Sequence, residues 1–207
     1  ALSCTGLRPA LIDLDPQGSS TRWLANRPAS LASIIGTEGF QNSLQVTKTW
    51  HLRTPENSDL AVIDTPAGLT RQELISATRG ADAILIPVMP SDIDIHAVMK
   101  CISDLLLVAK IPRPDMKIGI IANRVRANTR VYGQLKKFLS SLDIPVVATL
   151  RDSQNYTRAF EFGMGIHEMP FSQVKKDIDA WSDIMGWLDR LRERNLGQPS
   201  AIHYLRG

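Results

Sequence analysis

The stretch Ala10–Ser20, ALIDLDPQGSS, leaves few folds open. An apolar run of strand length ends in two aspartates one residue apart, then passes into Pro-Gln-Gly-Ser and a helix-start signal. In an open parallel sheet, ligands collect beyond the carboxyl ends of the strands. Side chains alternate along a strand, so Asp13 and Asp15 are expected on one side of it. Two carboxylates held there are costly unless a cation, a polarised water or basic groups face them. The pair therefore signals chemistry rather than packing.

The rest of the chain fits such a sheet. Five runs read as buried strands: Ala10–Leu14, Leu60–Asp64, Ala83–Val88, Lys117–Asn123 and Val146–Leu150. Each is nearly continuous in Val, Ile, Leu and Ala, as strands covered on both faces are. Helix-period stripes lie between and after them. One runs Ile95, Val98, Met99, Ile102, Leu105, Leu106, Ala109, and another Val131, Leu135, Phe138, Leu139, Leu142. The last stripe is Val174, Ile178, Trp181, Met185, Leu188, with Ser172 as its expected cap. Strands alternating with helices predict an α/β fold, a doubly wound and mostly parallel sheet flanked by helices. Residues 1–194 read as a single domain. Pro28–Asn57 is irregular and is expected to hold a short helix and an exposed connection. The tail 195–207, with Gly and Pro soon after the last stripe, is expected to be loosely held.

Composition narrows the class. The 207 residues are 43% hydrophobic and 22% charged, which is ordinary for a globular domain with a full core. No apolar run approaches the roughly 20 residues of a membrane span. Cys4 and Cys101 form neither a disulfide framework nor a Cys-x-x-Cys pair, and a reducing cytoplasm is expected. A net charge of +3 permits nucleic-acid binding without requiring it. His51, His96, His167 and His203 share no metal-ligand spacing and read as structural or solvated.

A second acidic strand end repeats the logic of the first. LAVIDTPAGL, Leu60–Leu69, closes a buried strand on Asp64 and turns through Thr-Pro-Ala-Gly. A carboxylate so placed matches a Walker-B aspartate, which holds magnesium beside nucleotide phosphates. The fourth strand closes on Asn123, which reads equally as a turn residue or as an amide suited to the edge of a purine base.

From about Leu7 to Leu188 the chain resembles the ParA/MinD group of deviant-Walker P-loop ATPases, and within it the small ParA-type partition ATPases. The resemblance rests on DLDPQGS at Asp13–Ser19, VIDTPAG at Val62–Gly68, ADAILIPVMPS at Ala81–Ser91 and the Asn-bearing strand Ile118–Arg124. The segment Arg151–Glu168, RDSQNYTRAFEFGMGIHE, adds to it. One part of the family pattern is missing. The phosphate-cradling Lys-Gly-Gly-x-Gly-Lys-[Ser/Thr] loop should follow a first strand upstream of Asp13, and no Gly-rich Lys-Ser or Lys-Thr pair occurs in the chain. The expectation is a P-loop NTPase-like domain lacking its first strand and P-loop, and inactive by itself. That loop supplies the N–H nest and the lysine that neutralise phosphates.

For the intact protein the resemblance implies an ATP hydrolase with ATP or ADP and magnesium as cofactors. Asp15 would orient the attacking water, and Asp13 and Asp64 would sit in the magnesium and phosphate shell, through waters. Asn123 would read adenine, with Arg151 and Asp152 closing over the nucleoside. ATP would be sandwiched in a homodimer that binds DNA without sequence preference. Arg124, Arg126, Arg130, Lys136, Lys137, Lys175 and Lys176 are the candidate phosphate contacts. Arg190, Arg192 and Arg194 read equally well as the wet face of the last helix. The implied role is partitioning of plasmid or chromosome cargo over a bacterial nucleoid, with a ParB-like or other small activating partner. Positioning of a protein assembly by the same cycle, or a non-hydrolysing scaffold, are the alternatives. A membrane-cycling role lacks an amphipathic tail, and a reductase iron protein lacks suitably placed cysteines. A receiver-type signalling domain would need a lysine closing the last strand, where VVATLRD has none.

Overall fold

The computed structural model describes residues 1–38, 55–111, 117–194 and 200–204. All five expected strands are present, as β1 (Pro9–Asp13), β3 (Leu60–Asp64), β4 (Ala83–Val88), β5 (Ile118–Val125) and β6 (Val146–Arg151). Two more complete the sheet: β2 (Ile35–Glu38) and β7 (Ser200–Tyr204). The order across the sheet is β2-β1-β3-β7-β4-β5-β6, with every pair parallel.

Both additions differ from the sequence expectation. Ile35–Glu38 lies in the stretch expected to hold a helix, and the part of that stretch at 39–54 is outside the described residues. Ser200–Tyr204 lies at the centre of the sheet, whereas the tail was expected to be loose. Neither IGTE nor SAIHY carries the apolar run that marks a covered strand, so backbone pairing, not burial pattern, places them.

The helices are α1 (Ser19–Ala25), α2 (Arg71–Thr78), α3 (Asp92–Leu107), α4 (Arg130–Ser140), α5 (Gln154–Glu161) and α6 (Phe171–Arg194). Caps appear where short polar side chains precede apolar stripes. Thr70 and Glu73 form a capping box, while Ser91, Thr129 and Ser153 accept from the first turns of α3, α4 and α5. Helix α6 begins at Phe171, directly after Pro170, so Ser172 lies inside its first turn and not before it.

Two apolar layers sandwich the strands. On one face Ile84, Ile86 and Val88 of β4 and Ile118, Ile120 and Ala122 of β5 meet Leu74, Val98, Ile102, Leu105, Leu135 and Leu139 of α2, α3 and α4. On the other, Leu60, Leu85, Ile121, Ala148 and Leu150 meet Ile184, Trp187, Leu188 and Leu191 of α6. Alternate residues of one strand thus serve opposite layers, as the two-residue strand period dictates. Among the described residues no helix is long and apolar enough to cross a membrane.

Cys101 lies on α3 against the first layer, and burial with the nearby Asp104 pushes its thiol up to about 11. Cys4 is exposed. Iodoacetamide at pH 8 is therefore expected to modify Cys4 first, with Cys101 reacting only as the pH approaches 11, because the thiolate is the nucleophile. Peptide mass mapping over a pH series checks this, and equal rates at pH 8 would contradict it.

Candidate functional site

Because all strands run the same way, their carboxyl ends share one rim. Asp13 and Asp64 lie directly opposite each other there, on neighbouring strands about 4.8 Å apart. Both are buried, with 1% and 7% of their surface exposed, and Asp15 in the following turn is 6% exposed. Strand β1 ends at Asp13, so Asp15 is placed by the turn and not by strand alternation.

A set of hydrogen bonds holds this acidic group in place. The Asp13 Oδ1 accepts the Asp15 N–H at 3.1 Å, and its Oδ2 accepts the Thr21 N–H at 2.8 Å and the Thr21 hydroxyl at 3.0 Å. The Ser20 hydroxyl donates to Asp64 Oδ2 at 2.6 Å, and the Gln17 N–H to Asp15 Oδ1 at 2.9 Å. A positive φ of 60° at Gly18 swings the chain from the turn into α1, bringing Ser20 and Thr21 over the strand ends. Those two hydroxyls are the site residues that sequence reasoning missed. Their signal was the Ser-Ser-Thr that follows Pro-Gln-Gly directly.

The donor set decides what a cation would find. A carboxylate oxygen offers two lone pairs, so Asp13 Oδ2 is filled by Thr21 and Asp13 is spent largely on anchoring α1. A hydroxyl beside a carboxylate, as in Ser20 and Asp64, suits magnesium, which keeps several waters and takes one or two protein oxygens. The residues present thus fit a hydrated magnesium ion, with the Ser20 hydroxyl and the Asp64 carboxylate side by side next to Asp13.

Asn123 stands on β5, three strands (about 14 Å) across from Asp64 and four residues (about 13 Å) beyond Gly119, which shares the row of Asp64. Its Oδ1 accepts the Arg124 N–H at 3.0 Å, and Arg124 has a positive φ of 50°. Arg151 and Asp152 close β6, further out. Arg151 forks onto Asp177 of α6 at 2.7 and 2.8 Å, and Asp152 accepts from Arg126 at 2.8 Å. The structure therefore brings Asp13, Asp15 and Asp64 together and engages Arg151 and Asp152 in ion pairs at the far end of the rim.

The basic candidates divide. Arg124, Arg126 and Arg130 are exposed beside the carboxyl end of β5. Lys175 and Lys176 are exposed near the start of α6, which the Arg151–Asp177 pair ties to the end of β6. Lys136 and Lys137 lie on α4, in the opposite layer and about 9 Å farther along the helix than Arg130. Lys136 rests over the Tyr132 ring at 4.9 Å. Five of the seven are thus near one rim.

Behind the turn, the segment after α5 is bolted to α1. Arg27 pairs with Glu168, both largely buried, and donates to the Gly163 carbonyl at 3.2 Å, while Trp23 donates to the Met164 carbonyl at 3.1 Å. Burial pushes the Glu168 carboxyl up, but Arg27 and the Gly165 N–H outweigh it and hold the group below its ordinary value. His96 Nδ1 lies 3.0 Å from the Asp92 carbonyl, and His167 packs edge-on against Trp181 with its basicity lowered by burial. His51 lies outside the described residues, and among those described no cluster of three or more His, Cys, Asp or Glu is built to hold a metal ion directly.

Comparison with known proteins agrees with this layout. The family model of the CobQ/CobB/MinD/ParA nucleotide binding domain matches residues 1–166. A maintenance of carboxysome distribution protein A from Halothiobacillus neapolitanus is 26% identical over 165 residues, 78% of this chain and 74% of its own length. Its namesake from Gloeobacter kilaueensis is 28% identical over 95 residues, 46% of this chain and 42% of its own. Among solved structures, one from Borrelia burgdorferi B31 described as a plasmid partition protein bound to AMPPNP superposes with a TM-score of 0.64 at 14% identity, covering 89% of this chain and 88% of that one. The MinD cell division protein of Aquifex aeolicus gives 0.58 at 17% identity, over 89% and 86%. At those identities the likeness is one of fold.

Proposed function

Because the chain belongs to the CobQ/CobB/MinD/ParA nucleotide-binding domain family, we propose that it works as an ATP-driven positioning switch whose cargo is a protein assembly. The observation that carries the nucleotide reading is the gathering of Asp13, Asp15 and Asp64 at one rim, each more than nine-tenths buried. The choice of cargo is supported by the two relatives named for carboxysome distribution.

In this reading each residue has a task set by its place. Asp15 orients the attacking water, since phosphoryl transfer needs positioning and charge stabilisation rather than covalent help. Asp64 and Ser20 hold the waters of a magnesium ion, and Asp13 fixes the helix that carries Ser20. Magnesium, when bound, neutralises charge on the phosphate oxygens. Asn123, on β5 beyond the row of Asp64, is the candidate for the base. The chain contains no Lys-bearing phosphate loop, so its rim supplies the acidic half of the site. ATP would bridge two copies, and exposed Arg124, Arg126, Arg130, Lys175 and Lys176 would meet DNA phosphates only in that dimer, with steep salt dependence.

The test is a titration of a fluorescent ATP analogue, with and without magnesium, on protein expressed from the complete reading frame that includes these residues. Magnesium-dependent binding is expected, and Asp15→Asn should keep it while lowering hydrolysis by about 10²-fold or more, the scale of a lost proton-handling group. Asn preserves the acceptor for the Gln17 N–H, so the turn survives. Absence of magnesium-dependent binding would overturn the reading. A DNA cargo is the second reading, favoured by the fold shared with the Borrelia protein. A fluorescent fusion that tracks plasmid foci instead of protein assemblies would establish it.

A further inference from the structure

Strand β5 carries one residue more than its place in the sheet needs. Ile118, Ile120 and Ala122 alternate onto the layer built with α2, α3 and α4, and the strand period would put Arg124 there next. Val125 takes that place instead, buried in the same cluster. The register with β6 shows the same step. Ala122 pairs with Thr149 and Val125 with Arg151, three residues of β5 against two of β6. This is a β-bulge, a device that bends a strand and re-aims a side chain, and Gly is the usual residue where it needs a left-handed backbone.

Here that residue is an arginine. Arg124 has a φ of +50°, which is costly for a bulky side chain and free for Gly. The other described non-glycine residues with positive φ, Asn57 and Lys110, lie in a turn and just after α3, where that conformation is ordinary. The flanks hold Arg124 in its strained state. The Val125 carbonyl accepts the Asp152 N–H at 3.0 Å, Arg126 pairs with Asp152, and the Thr129 hydroxyl donates to the Arg126 carbonyl at 2.9 Å. The guanidinium so presented differs from its neighbours. Arg126 is spent on Asp152 and Arg151 on Asp177, whereas Arg124 is exposed and its side chain makes no hydrogen bond or ion pair among the described residues.

We propose that this bulge is a DNA-phosphate contact, in which backbone strain at Arg124 holds one unpaired guanidinium out at the end of β5. The phosphates of a nucleotide at Asp64 would lie three strands across and behind its row, so a separate polyanion suits Arg124 better. Arg130, also exposed, follows at the start of α4 and extends the same basic edge. The inference rests on the DNA-binding reading above and names the residue on which it turns.

The test uses protein from the complete reading frame with ATP and magnesium, and follows the anisotropy of a labelled duplex of mixed sequence across a salt series. Arg124→Gly and Arg124→Ala should each weaken binding about fivefold or more and lower the slope of log affinity against log salt by about one per subunit, the share of one phosphate contact. Arg124→Lys should keep most of that slope. Thermal melts separate backbone from side chain. Arg124→Gly should melt about 2 °C or more above both Arg124→Ala and the wild type, since Gly alone escapes the left-handed cost. A glycine variant no more stable than the alanine variant would overturn the proposal, because the bulge would then carry no strain. So would DNA binding that both variants keep at the wild-type level, or a loss of affinity for a fluorescent ATP analogue in place of a loss for DNA. Wild-type protein that binds the analogue but no DNA overturns the DNA reading, and this inference with it.

Discussion

Replacing Arg151 by Ala is expected to destabilise the protein by about 3–5 kcal/mol, the cost of stripping the partner from a buried charge. Asp177 has none of its surface exposed, and its two carboxylate oxygens receive the Arg151 fork at 2.7 and 2.8 Å and the Asn155 amide at 2.8 Å. Remove the guanidinium and a carboxylate is left inside with one amide donor. The melting temperature should fall by about 10 °C for a chain of this size. Arg151→Lys should recover part of the loss, since an ammonium restores charge but not the planar two-bond match.

The pH dependence gives this prediction a second signature. Burial pushes the Asp177 carboxyl up, but the hydrogen bonds from Arg151 and Asn155 outweigh it and leave the group below its ordinary value. A carboxylate depressed on folding contributes stability that is present above its unfolded pKa and is lost as pH falls through the folded one. In Arg151→Ala only the Asn155 amide still opposes burial, so Asp177 takes up a proton more readily than in the wild-type protein. The gap between variant and wild type should therefore narrow below about pH 4, where carboxylates begin to protonate. Thermal melts at pH 7 and pH 3.5 check both statements. A gap that is small at neutral pH, or constant across the range, would show that the pair carries no such load. If nucleotide binding falls while stability does not, Arg151 serves the nucleoside and its grip on Asp177 is incidental.

The division between what the sequence disclosed and what it withheld follows the physics of each signal. Strands buried on both faces leave aliphatic runs, so β1, β3, β4, β5 and β6 were legible nearly to the residue. Stripes of period 3.6 disclosed α3, α4 and α6 in the same way. Ile35–Glu38 and Ser200–Tyr204 left no such mark, because neither IGTE nor SAIHY carries an aliphatic run, and only pairing with the neighbouring strands discloses them. At the site, the paired strand-end aspartates were visible because buried carboxylates demand a reason. The engagement of Asp13 with Thr21, and of Arg151 with Asp177, was not visible. Partners 8 and 26 residues away in sequence are chosen by the fold and carry no local pattern.

Gly163→Ala is expected to cost about 2–5 kcal/mol, the sum of a left-handed backbone penalty of about 1–2 kcal/mol and an overpacking penalty of about 1–3 kcal/mol. Gly163 has a φ of +61°, and a Cβ there would lie 2.4 Å from Arg27 N, 2.4 Å from Asn26 C and 2.5 Å from Asn26 O. These are backbone atoms just beyond the end of α1, and no rotamer change relieves the contact. Relief requires α1 to move, and α1 carries the Ser20 and Thr21 hydroxyls that hold Asp64 and Asp13. Gly80→Ala separates the two contributions, because Gly80 has a φ of +76° with nothing within 4 Å of its would-be Cβ. That control should lose only the backbone share, about 1–2 kcal/mol. Urea unfolding of the two variants measures the difference directly, and equal losses would show that the 163 segment yields without disturbing α1. If instead Gly163→Ala loses the larger amount, the seam between α1 and the segment after α5 is rigid. Displacing it would then reach the acidic rim through a single seven-residue helix.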